Sequence, residues 1–320
     1  MQTGYHRKIA WLAGLVAMAP LPAIAQDAGS APTITNGPPP AGGSDQDLAL
    51  QLSNPVASLI SVPFQENLDF GAGDDGIKST LNIQPLVPIS VGKDWNMIVR
   101  TIVPVVAQNA YQGPGTDAFG LGDITQSFFF SPKANKGIIW GVGPAIFYPS
   151  ATDRYLGGDK WGAGPTVVLL KQMGQNTVGF LGNHIWSIAG KDDRSDVSAS
   201  FMQPFFSHTT SHATTYGINA EASYDWKGEN WLVPVNLTVT QLTKVGDQAV
   251  QVGLGGKYYA VSPDGGPEWG IRMIFTPAIP EEIANFPVTQ PKVSVPGAEQ
   301  STSGAMGRLP GIWGHRRDAS

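Results

Sequence analysis

The chain of 320 residues contains no cysteine. That excludes disulfide staples, thiolate metal sites and cysteine nucleophiles together. It is also short of charge: Asp, Glu, Lys and Arg make up 14% of it, against roughly 25% in ordinary soluble domains. A wetted exterior is hard to furnish from so few ionic groups. No long basic run occurs and the net charge is -5, which argues against a nucleic-acid partner. Mean hydropathy is only -0.07, so a bundle of membrane helices, each needing about 20 consecutive apolar residues, is excluded. From residue 54 onward no segment sustains a helical period of 3.6.

What is present instead is alternation. In "YGINAEASYDW" (216–226) Tyr216, Ile218, Ala220, Ala222, Tyr224 and Trp226 fall on one side of an extended strand. Gly217, Asn219, Glu221, Ser223 and Asp225 fall on the other, because successive side chains point to opposite faces. "IKSTLNIQPLVPISV" sets Ile77, Leu81 and Ile83 against Lys78, Thr80, Asn82 and Gln84; "AVQVGLGGKYYAV" sets Val252, Leu254 and Tyr258 against Gly253, Gly255 and Lys257. Low charge with neutral hydropathy is what a membrane barrel wall gives, since its lipid-facing and lumen-facing residues average out.

Extended segments are predicted at 55–70, 77–91, 95–108, 118–131, 138–149, 161–172, 177–189, 197–208, 214–226, 231–243, 248–261 and 269–275. Tight turns ("VGKDW", "QMGQN", "KVGD") alternate with longer connections ("QNAYQGPGTDA", "PSATDRYLGGDK", "GKDDRSD", "SPDGGPE"). The fold class expected is all-β: a transmembrane antiparallel barrel of about 12 strands, even in number, with both termini periplasmic. The expected division is a signal peptide at 1–25, a flexible Pro/Gly/Ser-rich leader at 26–53, the barrel at 54–275 and a disordered tail at 276–320. The signal rests on Arg7 and Lys8, the apolar run "IAWLAGLVAMAPLPAIA" and the small-x-small pattern Ala23-Ile24-Ala25. It implies export, and the barrel implies a Gram-negative outer membrane.

Six tryptophans (Trp95, Trp161, Trp186, Trp226, Trp231 and Trp269) fall at or near predicted strand ends, as a membrane-interface belt requires. Trp140 reads more like a core residue. Glu66, His184 and Gln203 fall on nominally outward faces, which puts Glu66 beyond the membrane edge or past a bulge. Pro85, Pro88, Pro104, Pro144, Pro165, Pro204 and Pro234 interrupt predicted strands and remove ladder donors.

As a set, "LSNPVASLISVPFQ" (52–65), "LNIQPLVPISV" (81–91), "FGLGDITQSFFFSPK" (119–133), "GPAIFYPSATD" (144–153) and "GKYYAVSPDGGPEWGIRMIF" (256–275) resemble a bacterial outer-membrane family. It is the transporter family of the meta-pathway of phenol degradation, whose relatives often carry the misleading label "neuromedin U". The resemblance implies a transmembrane barrel that passes small compounds, hydrophobic or aromatic ones among them. It carries no binding or catalytic residues with it.

Catalysis finds no support. His184 and Ser187 leave opposite faces of one strand; His208 and His212 are an incomplete metal site. "KDDRSD" (191–196) and "GAGDDG" (71–76) lack the twelve-residue calcium pattern, and "GLGD" (120–123) lacks the third glycine and following helix of a phosphate loop. No cofactor and no metal is expected. Function then falls to the lumen, with Lys78, Thr80, Asn82, Gln84, Arg100, Gln126, Asn219, Glu221, Asn236, Lys257 and Arg272 as candidate lining residues. Twelve strands exceed the roughly eight that side chains can fill. The expected role is a passive channel for small molecules, with outer-membrane lipids and, during insertion, the barrel-assembly machinery as partners. A structural or adhesive barrel acting through its outer loops is the alternative, and a secreted soluble all-β binding protein the third.

Overall fold

The computed structural model describes residues 44–73, 75–134 and 137–279. The expected signal peptide, the leader up to residue 43 and the tail from residue 280 lie outside the described residues. Twelve antiparallel strands close into one barrel. They are β1 (Ile60–Ser61, resuming as Phe64–Ala72), β2 (Gly76–Ile83, resuming as Leu86–Val91), β3 (Trp95–Asn109) and β4 (Ala118–Leu121, resuming as Ile124–Pro132). Then follow β5 (Ile139–Tyr148), β6 (Lys160–Met173), β7 (Asn176–Gly190) and β8 (Ser198–Thr209). The wall ends with β9 (Thr214–Ala220 and Ala222–Asp225), β10 (Asn230–Val245), β11 (Gln248–Val261) and β12 (Trp269–Ile279). Each strand pairs with the next in sequence, and β12 closes on β1 from Trp269↔Phe70 to Phe275↔Phe64 and again at Ile60↔Ile279. Closure removes both sheet edges.

Two boundaries differ from the sequence expectation. The last strand runs to Ile279 rather than stopping at Phe275, because Pro277 still pairs with Val250 and Ile279 with Ile60. The expected leader also ends early: Asp45–Leu52 form an α-helix, α1. Ser44 caps it, accepting from the Asp47 amide while the Asp47 carboxylate accepts from the Ser44 amide. Such a reciprocal cap satisfies two of the orphan amides of a helix start. The helix lies across the end of the barrel that carries the short turns. Ala49 packs with Ala213 and Leu242, and the chain from Asn54 to Leu59 then runs inside the wall.

The barrel faces outward with its apolar side. Leu237 is 61% exposed while its neighbour Asn236 is fully buried, and Leu254 is 62% exposed while Lys257, on the opposite face, is 8% exposed. In a barrel without lipid around it, exposure of large apolar groups marks the lipid-facing surface and burial marks the lumen. No described helix is long and apolar enough to cross a membrane; the strands do the spanning.

The prolines have a pattern. Breaks at Val62–Pro63, Gln84–Pro85 and Gly122–Asp123 lie side by side across β1 to β4. The Gln84 amide donates to the Pro63 carbonyl (2.8 Å), the Thr101 amide to Pro85 (3.0 Å) and the Gly122 amide to Pro104 (2.9 Å). Prolines cannot donate, but their carbonyls are accepted into the ladder, so the seam bends without opening. Pro144 and Pro165 behave differently. They face each other across β5 and β6, and each leaves a gap on its other side. The β4–β5 pairing stops at Ser127↔Ala145 and resumes at Phe130↔Val142; the β6–β7 pairing stops at Asn183↔Thr166 and resumes at Trp186↔Ala163. A glycine precedes each proline, and a methyl at Gly143 or Gly164 would collide with the Phe128 or His184 carbonyl. Pro234 sits at a register shift between β10 and β11.

Turns at the helix end are tight: Gly174 and Gly246 take φ of +57° and +62° with open space around them, a conformation glycine adopts without a steric cost. At the opposite end the longer loops are tied down. The Asp123 carboxylate accepts from the Ala151 and Gly158 amides (3.0 and 2.6 Å), bracing loop 149–159. Lys160 and Ser187 hydrogen-bond Asp196 and hold its carboxyl below the usual range.

Candidate functional site

The lumen is divided by a layer of charged and amide side chains supplied by strands far apart in sequence. Arg272 on β12 donates through both terminal nitrogens to Glu221 on β9 (2.9 and 2.8 Å) and through Nε to Asn67 on β1 (2.8 Å). Lys257 on β11 donates to Asp69 on β1 at 2.9 Å, with both side chains less than a tenth exposed. Asn236 donates to Asn219 (2.8 Å) and Gln203 to Glu221 (3.4 Å). Arg100 on β3 donates to the Gln84 side-chain carbonyl at 2.7 Å. Lys78 stands over the Tyr111 ring, 5.0 Å from its centre. Isolated buried charges are costly, but paired and hydrogen-bonded ones hold a fixed geometry.

A cavity lies on each side of this layer. The one toward α1, about 270 Å³, is lined by Leu52, Ala57 and Leu59 of the inner segment and by Leu86, Leu181 and Phe205 of the wall. The one toward the long loops, about 480 Å³, is lined by Thr80, Asn82, Glu221, Lys257 and Arg272 among others. Gln65, Gln84, Arg100 and Gln203 border both, forming a polar neck. The lumen is not polar throughout. Leu86, Ile98, Phe129, Ile139, Val168, Leu170 and Leu181 bury against Val56 of the inner segment, with Phe201 and Phe205 beside them.

Of the candidate lining residues, Thr80, Asn82, Gln84, Arg100, Asn219, Glu221, Lys257 and Arg272 border the two cavities. Lys78 and Asn236 share their inward face. Gln126 does not. Thr125 and Ser127 line the cavity, so Gln126 points outward, where it bonds Thr101 Oγ1 (2.9 Å) and the Tyr148 hydroxyl (2.9 Å). The cause is an extra residue at Gly122–Asp123. Pairing with β3 shifts from Val105↔Leu121 to Ile102↔Thr125, and one inserted residue turns every later side chain over. Gln203 is the reverse correction: it borders both cavities instead of facing outward. Glu66 is outward as read, yet it sits in mid-strand with no bulge, accepting from Ser79 Oγ at 2.7 Å.

The six belt tryptophans are all outward, between 41% and 56% exposed. Trp95 lies at the helix end and meets Trp140 edge-on at 5.8 Å, so Trp140 is a rim residue rather than a core one. The other five lie at the loop end. There Tyr224 contacts Trp226 and Trp231, and Phe70 stacks on Trp269 at 4.5 Å. His184 joins that rim through Trp186 and Ser200. Among the described residues no His, Asp and Glu group could hold a metal.

Sequence reasoning missed Gln65, Asn67 and Asp69, although they alternate with Phe64, Leu68 and Phe70 in the same manner as the residues it found. It also missed α1, whose signal was the Ser44–Asp47 cap.

No protein-family model and no curated protein sequence matches the chain. Solved structures do. A COG4313 outer membrane channel from Pseudomonas putida F1 superimposes with a TM-score of 0.54 over 69% of this chain and 94% of that one, at 15% identity. The in-vitro folded outer membrane protein OmpT of Vibrio cholerae (TM-score 0.35, 6% identity, 68% of this chain and 97% of that one) is a much weaker match. So is the beta domain of the Bordetella autotransporter BrkA (0.37, 9%, 69% and 100%). The fold is thus that of a Gram-negative outer-membrane barrel.

Proposed function

We propose that the protein is an outer-membrane channel for the passive passage of small molecules, hydrophobic or aromatic ones included. The observation that carries this reading is the pair of cavities on the barrel axis joined at the Gln65–Gln84–Arg100–Gln203 neck. A plugged interior with no solute role would be expected to close that space with side chains. The fold shared with a channel supports the reading, as does a lumen that is polar on one side and apolar on the other. A solute of mixed character can exchange water for such a wall in steps, down its own gradient.

The segment from Ser44 to Leu59 obstructs the path at the short-turn end, so passage requires it to shift. Its polar attachments to the wall include Gln46 to the Thr209 carbonyl, Gln172 to the Leu50 carbonyl, Asn96 to Ser58, and an exposed Lys244–Asp45 pair at 3.7 Å. Proteoliposome flux and single-channel recording on purified protein test the proposal. Solute entry above that of protein-free vesicles is the expected result. Flux no greater than in protein-free vesicles, for salts, sugars and small aromatics alike, would leave a structural or adhesive barrel.

A further inference from the structure

We propose that Arg100 is a carboxylate-binding residue in the neck, and that the solute class it takes is the small hydrophobic monoanion: a carboxylate on one aromatic ring or a short acyl chain. This rests on the channel reading and names the solute for the same lumen.

Five described cations face the inner space, and they are not equivalent: Lys160, at the loop end, is paired with Asp196. Arg272 spends its fork on Glu221 and its Nε on Asn67; Lys257 is paired with Asp69; Lys78 stands at the rim over an aromatic ring. Arg100 alone among them has neither a ring nor a carboxylate. Among the described residues its side chain makes one hydrogen bond, to the neutral side chain of Gln84, and no carboxylate lies within ion-pair distance of it. A guanidinium has five N–H donors in a planar fork that matches a carboxylate bidentately. A cation away from bulk water is ordinarily paired, and here the free donors border the two cavities. Gln65, also in the neck, adds an amide that can donate to an anion, while the Gln203 amide is turned toward Glu221. Glu221, the nearest rival anion, is already neutralised by Arg272.

The other half of the ligand follows from the wall below. Leu52, Ala57, Leu59, Leu86, Leu181 and Phe205 form one side of the cavity that Arg100 overlooks, and Thr215, Thr238, Thr240 and Gln251 are among the polar residues that form the other. A ring or acyl chain has the apolar side to lie on, whereas a dicarboxylate would bring a second charge with no second unpaired cation in the neck to meet it. A volume of about 270 Å³ falls just under the roughly 300–1,000 Å³ of ordinary small-molecule pockets, which limits the apolar part to one ring or a short chain.

The test uses benzoate and its neutral counterpart benzyl alcohol, titrated into the purified full-length protein by calorimetry and followed into proteoliposomes. Wild-type protein is expected to bind benzoate at least tenfold more tightly than benzyl alcohol. R100Q lowers that preference about tenfold to a hundredfold, the worth of a hydrogen-bonded charge. R100K, which keeps the charge but not the fork, recovers part of it. Equal wild-type affinity for the two probes overturns the proposal, with no variant needed. So does an undiminished preference in R100Q that still shows the heat-modifiable mobility of a folded barrel. Chloride competing as well as benzoate overturns it too, by making Arg100 a general anion contact. Binding with an Arg100-dependent preference but no flux of either probe supports the site and sinks the channel reading. Flux of both probes without preference sinks the site and spares the channel.

Discussion

Strands β10 to β12 and strands β4 to β7 belong to one wall, yet they are built in opposite ways. In the first group the ladder is nearly unbroken and the inward face is polar: Asn236, Thr238 and Thr240, then Lys257, then Arg272 and Thr276. In the second the ladder is twice interrupted at the facing prolines, and the inward face carries Phe129, Ile139, Val168, Leu170 and Leu181. The lesson is that cohesion is supplied by different means. Where backbone pairing is complete, the lumen can be left hydrated and charged. Where two ladder stretches are missing, a packed apolar cluster inside the barrel joins the strands that the backbone does not.

The largest effect comes from attacking the interrupted side at its narrowest point. Gly164→Val places a side chain on the His184 carbonyl in the gap beside Pro165, and backbone there has no room to retreat. Assembly is expected to fail, read as loss of heat-modifiable mobility in the outer-membrane fraction. Gly256→Ala on β11 meets open space and should assemble like wild type. If both variants assembled equally well, the contrast between the two sides would collapse.

Next in size is Phe129→Ala. Phe129 is fully buried among Ile98, Ile139 and Val168, so truncation removes its burial and leaves a cavity, worth about 4 kcal/mol. Urea unfolding in lipid or detergent measures it. For the regular side, whose Arg272 on β12 pairs with Glu221 of the adjoining β9, Glu221→Gln keeps a hydrogen-bond acceptor but removes the charge, for a smaller loss of about 2 kcal/mol. That ranking, apolar above ionic, is what the comparison requires, and the reverse order would break it.

How much of this could be read from sequence divides along the same line. The alternation in 216–226 and 248–261 is regular, and it located the lumenal faces of β9 and β11. The turn residues Gly174 and Gly246 marked their hairpins in the same direct way. In β4 the same rule failed from Gly122 onward. A bulge of one residue has no composition of its own, and every later inside–outside assignment, Gln126 first, inherits the error. The prolines were visible but not their pairing: that Pro144 faces Pro165 depends on register, which local sequence does not specify. Nor do partners such as Arg272 and Glu221 announce each other, because closure of the wall brings them together and nothing nearby in the chain does. α1 was hidden by composition. A leader rich in Pro, Gly and Ser runs straight into a short helix, and only the Ser44 cap separates the two.

The smallest effects fall on the segment that touches both sides. α1 rests on the regular side through Ala213 and Leu242, and Val56, a few residues on, is fully buried in the apolar cluster. Val56→Ala removes two methyl groups from a filled site, worth about 2 kcal/mol at roughly 0.8 kcal/mol per buried carbon with some cavity left behind. Ser44→Ala removes the cap and costs the helix about 1 kcal/mol. If displacement of this segment opens the path, each loss appears as a rise in open probability, since the closed state alone carries the contact. The factors expected are about thirtyfold for Val56→Ala and about fivefold for Ser44→Ala, at 1.4 kcal/mol per tenfold. Single-channel recording at fixed voltage reads both. The order matters more than the size. A larger response from Ser44→Ala would mean that the helix, seated on the polar side, is the latch and that the apolar cluster is mere lining.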